Sequence, residues 1–125
     1  MSLLLLDTHV FLWWRGNDPR LTTEARSAIA GADLVFVSAA SAWEAAIKIA
    51  LGRLTLPESF SHGVDASGFE RLPIAFEHAA TAGALPRHHA DPFDRMLVAQ
   101  ALMEGCTLVS HDHALEPYGA SMLWT

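Results

Sequence analysis

Four acidic residues of this chain fall where their side chains could act together on a cation. Asp7 directly follows the apolar run Leu3–Leu6, and Asp112 comes shortly after the apolar pair Leu108-Val109. Glu44 and Asp94 lie near the expected beginnings of two helices. Clusters of three or four carboxylates suit Mg²⁺ or Mn²⁺, which prefer oxygen ligands, retain waters and bind phosphates. We therefore predict that these four acids are the ligands of one such ion and carry its chemistry.

Each of these acids also has an ordinary structural explanation. Asp7 could cap a helix that begins near Thr8, although a lone carboxylate flanked by buried backbone is costly without a cation or hydrogen-bond donors. Glu44 completes a capping box with Ser41 and forms a favourable i,i+4 pair with Lys48. Asp112 could be one of the exposed aspartates that are common in turns. The four positions are therefore informative only in combination.

The segment 91–95 holds two aspartates with different expected roles. Asp91 is well placed as the N-cap of a helix with Pro92 at its first position, which would occupy its carboxylate. Asp94 then falls in the first turn, where the helix dipole favours a carboxylate even without a ligand. We favour Asp94 as the ligand and Asp91 as a mainly structural, supporting residue. Arg95 could hold a phosphate or a neighbouring acid.

Strands and helices alternate along the chain, and their order places the acids. Short apolar runs predict strands over residues 3–6, 34–37, 71–73, 107–109 and 121–124. Helices are predicted near Thr8 and over residues 22–31, 39–51, 57–66, 74–82 and 91–104. This alternation predicts βαβ units and a mostly parallel sheet in one domain over residues 1–125. Such sheets bind ligands beyond the carboxyl ends of their strands, where all four acids would lie.

Composition limits the classes of protein to which the chain can belong. Apolar residues make up 51% and charged residues 18%, which excludes a disordered chain, and the apolar runs are too short to cross a bilayer. No basic segment precedes the first apolar run, and the single Cys106 cannot form an internal disulfide, so we expect a cytoplasmic protein without membrane association. The net charge of −6 is awkward for a protein that binds nucleic acid through Lys and Arg. Either the substrate is not a polyanion, or cations neutralise acids gathered in one pocket.

Other common sites lack support in the sequence. Seven histidines are present, but His88-His89 and His111-x-His113 lack an accompanying cysteine set or an H-E-x-x-H spacing, which disfavours zinc. The chain contains no G-x-S-x-G elbow, P-loop or G-x-G-x-x-G motif. Acyl transfer and nucleotide triphosphate or dinucleotide chemistry are therefore unsupported.

Short motifs follow one another in order between the first and the last of the four acids. They are Leu5-Leu6-Asp7-Thr8-His9, Ser41-Ala42-Trp43-Glu44 running to Ile47-Lys48, Gly52-Arg53-Leu54, and Leu85-Pro86 through His89 to Asp91-Pro92-Phe93-Asp94-Arg95. Together they resemble the PIN-domain family, and within it the VapC-type toxins of bacterial toxin–antitoxin pairs. The resemblance implies a three-layer α/β/α sandwich and a Mg²⁺- or Mn²⁺-dependent endoribonuclease that uses a metal-activated water.

The resemblance also carries residue roles. Asp7, Glu44 and Asp94 match the near-universal acids of the family, and Asp112 matches its more variable fourth. Polar positions equivalent to Thr8 often support the site. The position of Ser110, in the segment that contains the fourth acid, has the same supporting character.

Partners follow from the same resemblance: an RNA substrate, a second copy of the chain in a homodimer, and a small antitoxin protein that blocks the site. Phe11, Trp13 and Trp14 are more aromatic bulk than one short helix usually buries. They either offer a partner surface or pack in the core or in a homodimer seam. The alternatives to a toxin are a PIN-fold nuclease of RNA maturation and a weakly catalytic regulatory binding module.

Overall fold

A computed structural model of the chain describes residues 1–125 and contains five β-strands, six α-helices and one 3₁₀ helix. The elements are β1 (Leu3–Leu6), α1 (Thr8–Arg15), α2 (Thr23–Gly31), β2 (Leu34–Ser38), α3 (Ala39–Ala50), α4 (Phe60–Ala66), β3 (Glu70–Leu72), α5 (Phe76–Ala84), α6 (Pro92–Glu104), β4 (Thr107–Ser110), the 3₁₀ helix (His113–Tyr118) and β5 (Met122–Trp124). Most predicted elements are present within one or two residues of their expected bounds.

The five strands form one sheet in the order β3-β2-β1-β4-β5, and every neighbouring pair is parallel. The predicted mostly parallel sheet is therefore confirmed, and it is parallel throughout. The central strand β1 aligns Leu6 with Val37 of β2 and with Val109 of β4. The residues that follow these three positions consequently emerge side by side at one edge of the sheet.

The leucines of β1 face two different cores because side chains alternate along a strand. Leu4 and Leu6 belong to a core shared with residues of α1, α2 and α4. Leu5 belongs to a second core, on the other face of the sheet, that includes residues of α3 and α6 and the buried Cys106. Helix α5 packs against α6. Helices on both faces give the three-layer α/β/α sandwich that the family resemblance implied.

The structure differs from the prediction at two local features, the N-cap of α3 and a 3₁₀ helix. The N-cap of α3 is Ser38, whose Oγ accepts a hydrogen bond from the Ala40 N–H at 3.0 Å. The predicted capping box of Ser41 and Glu44 is wrong, because β2 passes into α3 without a linker and both residues lie within the helix. The 3₁₀ helix was not predicted, because it is short and contains Pro117.

The aromatic residues of α1 mainly serve the core. Phe11 is 2% exposed and Trp13 is 8% exposed, so a partner surface built on these two residues is wrong and the alternative of core packing is confirmed. Trp14 is half-buried, with its ring 5.6 Å from that of Phe69. None of the helices combines the length and the apolar character needed to cross a bilayer.

Candidate active site

A cavity of about 200 Å³ opens at the carboxyl-end edge of the sheet, and no hydrophobic residue lines it. The residues around it are Asp7, Thr8, His9, Glu44, His89, Asp91, Asp94, His111 and Asp112. All four acids that the sequence singled out are among them. The order of the strands thus brings residues from the two ends of the chain to one place.

Asp7 is 4% exposed, and its carboxylate accepts two hydrogen bonds. Its Oδ1 accepts from the Val10 N–H at 2.8 Å, which makes it the N-cap of α1. Its Oδ2 accepts from the Ser110 hydroxyl at 2.7 Å, so Ser110 supports this carboxylate directly. Burial raises the pKa of Asp7, and the two hydrogen bonds oppose that rise. Capping does not exclude cation binding, because each carboxylate oxygen retains another lone pair.

Glu44 projects from α3 into the cavity and is 9% exposed. Its Oε1 accepts from the Thr8 hydroxyl at 2.6 Å, and its Oε2 lies 3.2 Å from Lys48 Nζ. The predicted i,i+4 pair with Lys48 is therefore confirmed. Lys48 is the only lysine or arginine that pairs with any of the four acids.

Asp91 and Asp94 have distinct environments at the beginning of α6. Asp91 Oδ1 accepts from the Phe93 N–H at 2.8 Å and from the Asp94 N–H at 3.4 Å, which confirms that Asp91 is the N-cap. Burial, followed by the charges of Asp91 and Asp7, raises the pKa of Asp94 to about 7. Such a pKa shows that the charged form of Asp94 is disfavoured, first by burial and then by the neighbouring negative charges.

Arg95 does not contact a neighbouring acid, which was one of the two partners predicted for it. Its guanidinium donates to the carbonyl oxygens of Ala82, Leu85 and Pro86 at 2.9, 3.0 and 3.0 Å, and it lies 3.3 Å from the Tyr118 hydroxyl. The predicted contact with a neighbouring acid is wrong, because these backbone acceptors occupy the guanidinium. Arg95 instead fastens the loop that precedes α6.

His89 lies inside the acidic cluster, although the sequence analysis did not select it. Its Nε2 is 2.8 Å from Asp112 Oδ2 and 3.3 Å from Asp94 Oδ2, and its Nδ1 accepts from the Asp91 N–H at 3.0 Å. The hydrogen bond with Asp112 raises the pKa of His89 and lowers that of Asp112. The bond from the Asp91 N–H acts in the opposite sense, since it requires an unprotonated Nδ1. The one feature of the sequence that could have indicated His89 was its position two residues before Asp91, the predicted N-cap of α6.

His9 and His111 complete the lining of the cavity. The His111 ring lies 5.0 Å from the ring of Trp13 and 5.5 Å from that of His9, and its Nδ1 is 3.9 Å from Asp7 Oδ2. Burial, and then the charge of Lys48, lowers the pKa of His9. In the sequence, His111 fitted no zinc motif and His9 stood only in the first of the family motifs, and their grouping here depends on tertiary structure.

The donor set fits a divalent cation. Five carboxylates line the cavity, and Lys48 is the one lysine that pairs with any of them. Carboxylate oxygens of Asp94 and Asp112 come within 4.8 Å of each other. Oxygen donors of this kind suit Mg²⁺ and Mn²⁺. The raised pKa of Asp94 reflects burial and then the repulsion of Asp91 and Asp7, and a bound cation would offset both.

Known proteins resemble the chain over nearly its whole length. The PIN domain family matches residues 4–120. Ribonuclease VapC22 of Mycobacterium tuberculosis is 35% identical over 126 residues, which cover 94% of this chain and 93% of VapC22.

Solved structures share the fold at lower sequence identity. VapBC2 from Rickettsia felis, bound to a DNA fragment from its promoter, matches with a TM-score of 0.73 at 14% identity and covers 98% of both chains. DNA-bound VapBC from Salmonella typhimurium matches with a TM-score of 0.68 at 18% identity, again over 98% of both chains. Taken with the sequence matches, the chain belongs to the PIN-domain family, and within it to the VapC type.

Proposed function

We propose that the protein is a Mg²⁺- or Mn²⁺-dependent endoribonuclease in which Asp7, Glu44, Asp94 and Asp112 hold the ion. The observation that carries the proposal is the cavity shared by these four carboxylates, in which the pKa of Asp94 reaches about 7. The relationship to ribonuclease VapC22 supports RNA as the substrate.

The residues of the chain divide the work of such a reaction. A bound Mg²⁺ or Mn²⁺ would supply a Lewis acid for a phosphate oxygen and activate a water molecule as the nucleophile. Ser110 orients Asp7, and Thr8 orients Glu44, through hydrogen bonds of 2.7 and 2.6 Å. Asp94 is left with less hydrogen-bond support and a high pKa, so it gains most from a cation.

The proposed biological role is that of the toxin in a type II toxin–antitoxin pair, located in the cytoplasm. The resemblance to solved VapBC complexes supports an antitoxin protein as partner. We further propose that the protein forms a homodimer. A short antitoxin gene upstream is expected only for a toxin, and expression in bacteria with and without the adjacent gene tests this role. Growth arrest and RNA cleavage are expected only when the adjacent gene is omitted, and unimpaired growth in both cases would contradict a toxin.

The catalytic proposal is tested by RNA cleavage with the purified protein. Wild type is expected to cleave with Mg²⁺ or Mn²⁺ and to stop on addition of EDTA. Asp94→Asn should abolish cleavage while circular dichroism shows an unchanged fold. Asp65→Asn is the matched control, because Asp65 is an exposed aspartate that pairs with Arg71 away from the cavity. Full activity of Asp94→Asn, or of wild type in EDTA, would rule out the mechanism.

A second candidate function, a binding or regulatory module with little catalysis, is favoured by the state of the basic residues. Six of the eight have partners: Arg15, Arg20 and Arg71 pair with carboxylates, Lys48 with Glu44, Arg26 lies over the Trp14 ring, and Arg95 binds carbonyl oxygens. Few cations therefore remain for a phosphate backbone. Calorimetric titration with Mn²⁺ separates the two functions, since a module without catalysis has no need of the ion.

A further inference from the structure

We propose that His89 is a positioning residue whose Nε2–H group holds Asp112 beside Asp94, and that His89 does not itself bind the ion. This inference rests on the proposed cation site. It assigns a role to the one imidazole that lies within hydrogen-bond distance of any of the four acids, namely Asp112 and Asp94.

The backbone fixes which ring nitrogen of His89 carries the proton. Nδ1 lies 3.0 Å from the backbone nitrogen of Asp91, in the geometry of an acceptor. A backbone N–H can only donate, so Nδ1 must be unprotonated, and the proton of the neutral ring is on Nε2. A protonated Nε2 has no lone pair for a cation. Coordination through Nε2 would move the proton to Nδ1, where it would face the Asp91 N–H.

The same Nε2–H points at the carboxylates. Its nitrogen lies 2.8 Å from Asp112 Oδ2, and Asp94 Oδ2 is next nearest at 3.3 Å. The other oxygen of Asp112 accepts from the Ala114 N–H at 3.0 Å. Both oxygens of this partly exposed side chain are thus held, which fixes the plane of the carboxylate and leaves further lone pairs for an ion.

His89 is able to orient another group because its own loop is fastened. Its backbone N–H donates to the Tyr118 hydroxyl at 2.9 Å, and the Arg95 guanidinium lies 3.3 Å from the same oxygen. Arg95 also binds the carbonyl oxygens of Leu85 and Pro86, in the same loop. The chain of support runs from Arg95 and Tyr118 through His89 to the carboxylates.

Measurement of metal affinity shows whether His89 positions Asp112 for the ion or only lies near it. The probes are Mg²⁺ and Mn²⁺, titrated calorimetrically into the full chain without RNA. Mutation of a residue that hydrogen-bonds to a metal ligand typically lowers metal affinity about 10- to 100-fold. We therefore expect His89→Ala to weaken the binding of both ions by that factor. His62→Gln is the matched control, because His62 is an exposed histidine that contacts Glu58 outside the cavity. Unchanged affinity in His89→Ala would overturn the proposal, as would a wild type that binds neither ion.

Two conservative variants separate the two ring nitrogens. In His89→Asn the side-chain oxygen can replace Nδ1 as the acceptor, but no donor reaches Asp112. In His89→Gln the longer amide can donate from the place of Nε2. We expect His89→Gln to retain most of the affinity and His89→Asn to lose as much as His89→Ala. The reverse order would show that support of the loop, and not the donor to Asp112, is what matters.

The protonation of the ring is measured directly by long-range ¹H–¹⁵N correlation NMR. We expect Nε2 of His89 to carry the proton, with Nδ1 unprotonated, both without metal and with saturating Mg²⁺. Transfer of the proton to Nδ1 on addition of Mg²⁺ would identify His89 as a ligand and overturn the proposal. Because neither measurement uses RNA, a protein that shows the expected affinities and ring state but cuts no RNA would refute the proposed function alone.

Discussion

Asp94→Asn should make the metal-free protein more stable while removing its ability to gain stability from a cation. In the folded protein the pKa of Asp94 is raised from 3.8 to about 7, chiefly by burial and then by the charges of Asp91 and Asp7. Since the folded state holds this proton more tightly than the unfolded state, stability falls as pH rises from about 4 to about 7 and is not recovered above that range. An asparagine at this position has no proton to lose, so it escapes the penalty.

The size of the effect follows from the change in pKa. About three pH units at about 1.4 kcal/mol each correspond to about 4 kcal/mol. Because 21% of the Asp94 side chain is exposed, solvent screening reduces the expectation. We expect about 2 kcal/mol at about pH 8 after that reduction, and a small difference at about pH 4. In urea this is a midpoint about 1 M higher for the variant.

Urea unfolding followed by circular dichroism, in EDTA from about pH 4 to about pH 8, measures this difference. A second series with saturating Mg²⁺ should raise the midpoint of wild type and leave that of Asp94→Asn unchanged. Asp65→Asn is the control of opposite sign, because the hydrogen bond with Arg71 lowers the pKa of Asp65 and its charge therefore stabilises the fold above the unfolded pKa. An Asp94→Asn protein less stable than wild type at high pH, or one with the same pH dependence, would refute the reasoning.

Three further substitutions test the groups around the acids. Ser110→Ala removes the donor to Asp7 Oδ2 and should cost about 1–3 kcal/mol of unfolding free energy, because a buried carboxylate loses a partner; an equally stable variant in urea would contradict this. Thr8→Val keeps the shape but removes the hydroxyl that donates to Glu44, with an expected loss of about 1.5–3 kcal/mol; thermal and urea unfolding would both show it. Arg95→Lys cannot bind the same set of carbonyl oxygens, so amide hydrogen exchange in the loop before α6 should accelerate, and unchanged protection would show that the loop holds itself.

The sequence predicts the site to the extent that strand ends determine it. A run of leucines that ends in Asp7 fixes both a buried strand and the position of its carboxylate, because parallel strands end at a common edge. The register of β1 with β2 and β4 then brings Ser110 beside Asp7, as the 2.7 Å hydrogen bond shows. These features can be predicted from the sequence because they depend on local residue patterns and on general rules of sheet topology.

The parts that the sequence does not predict depend on contacts between distant segments. The loop before α6 has no periodicity, and the position of His89 is set by Arg95 and by the Tyr118 hydroxyl from the 3₁₀ helix. The predicted contact of Arg95 with a neighbouring acid is wrong for a related reason. A cation next to an acidic residue suggests a phosphate or acid partner, whereas carbonyl oxygens of the last turn of α5 and of the loop that follows it bind the guanidinium in the structure.

The net charge of −6 can be understood from the distribution of pairs and not from the total alone. Three arginines outside the site are matched by neighbouring carboxylates: Arg15 by Glu58, Arg20 by Asp18 and Arg71 by Asp65. The acids of the cavity have one lysine among them, so the excess charge is concentrated where burial makes it most costly. A cation that binds only the folded state recovers this cost, and the recovered free energy adds to its affinity. Asp7 and Asp94, whose raised pKa values mean that their charges weaken the metal-free fold, are therefore among the residues that would hold a divalent ion.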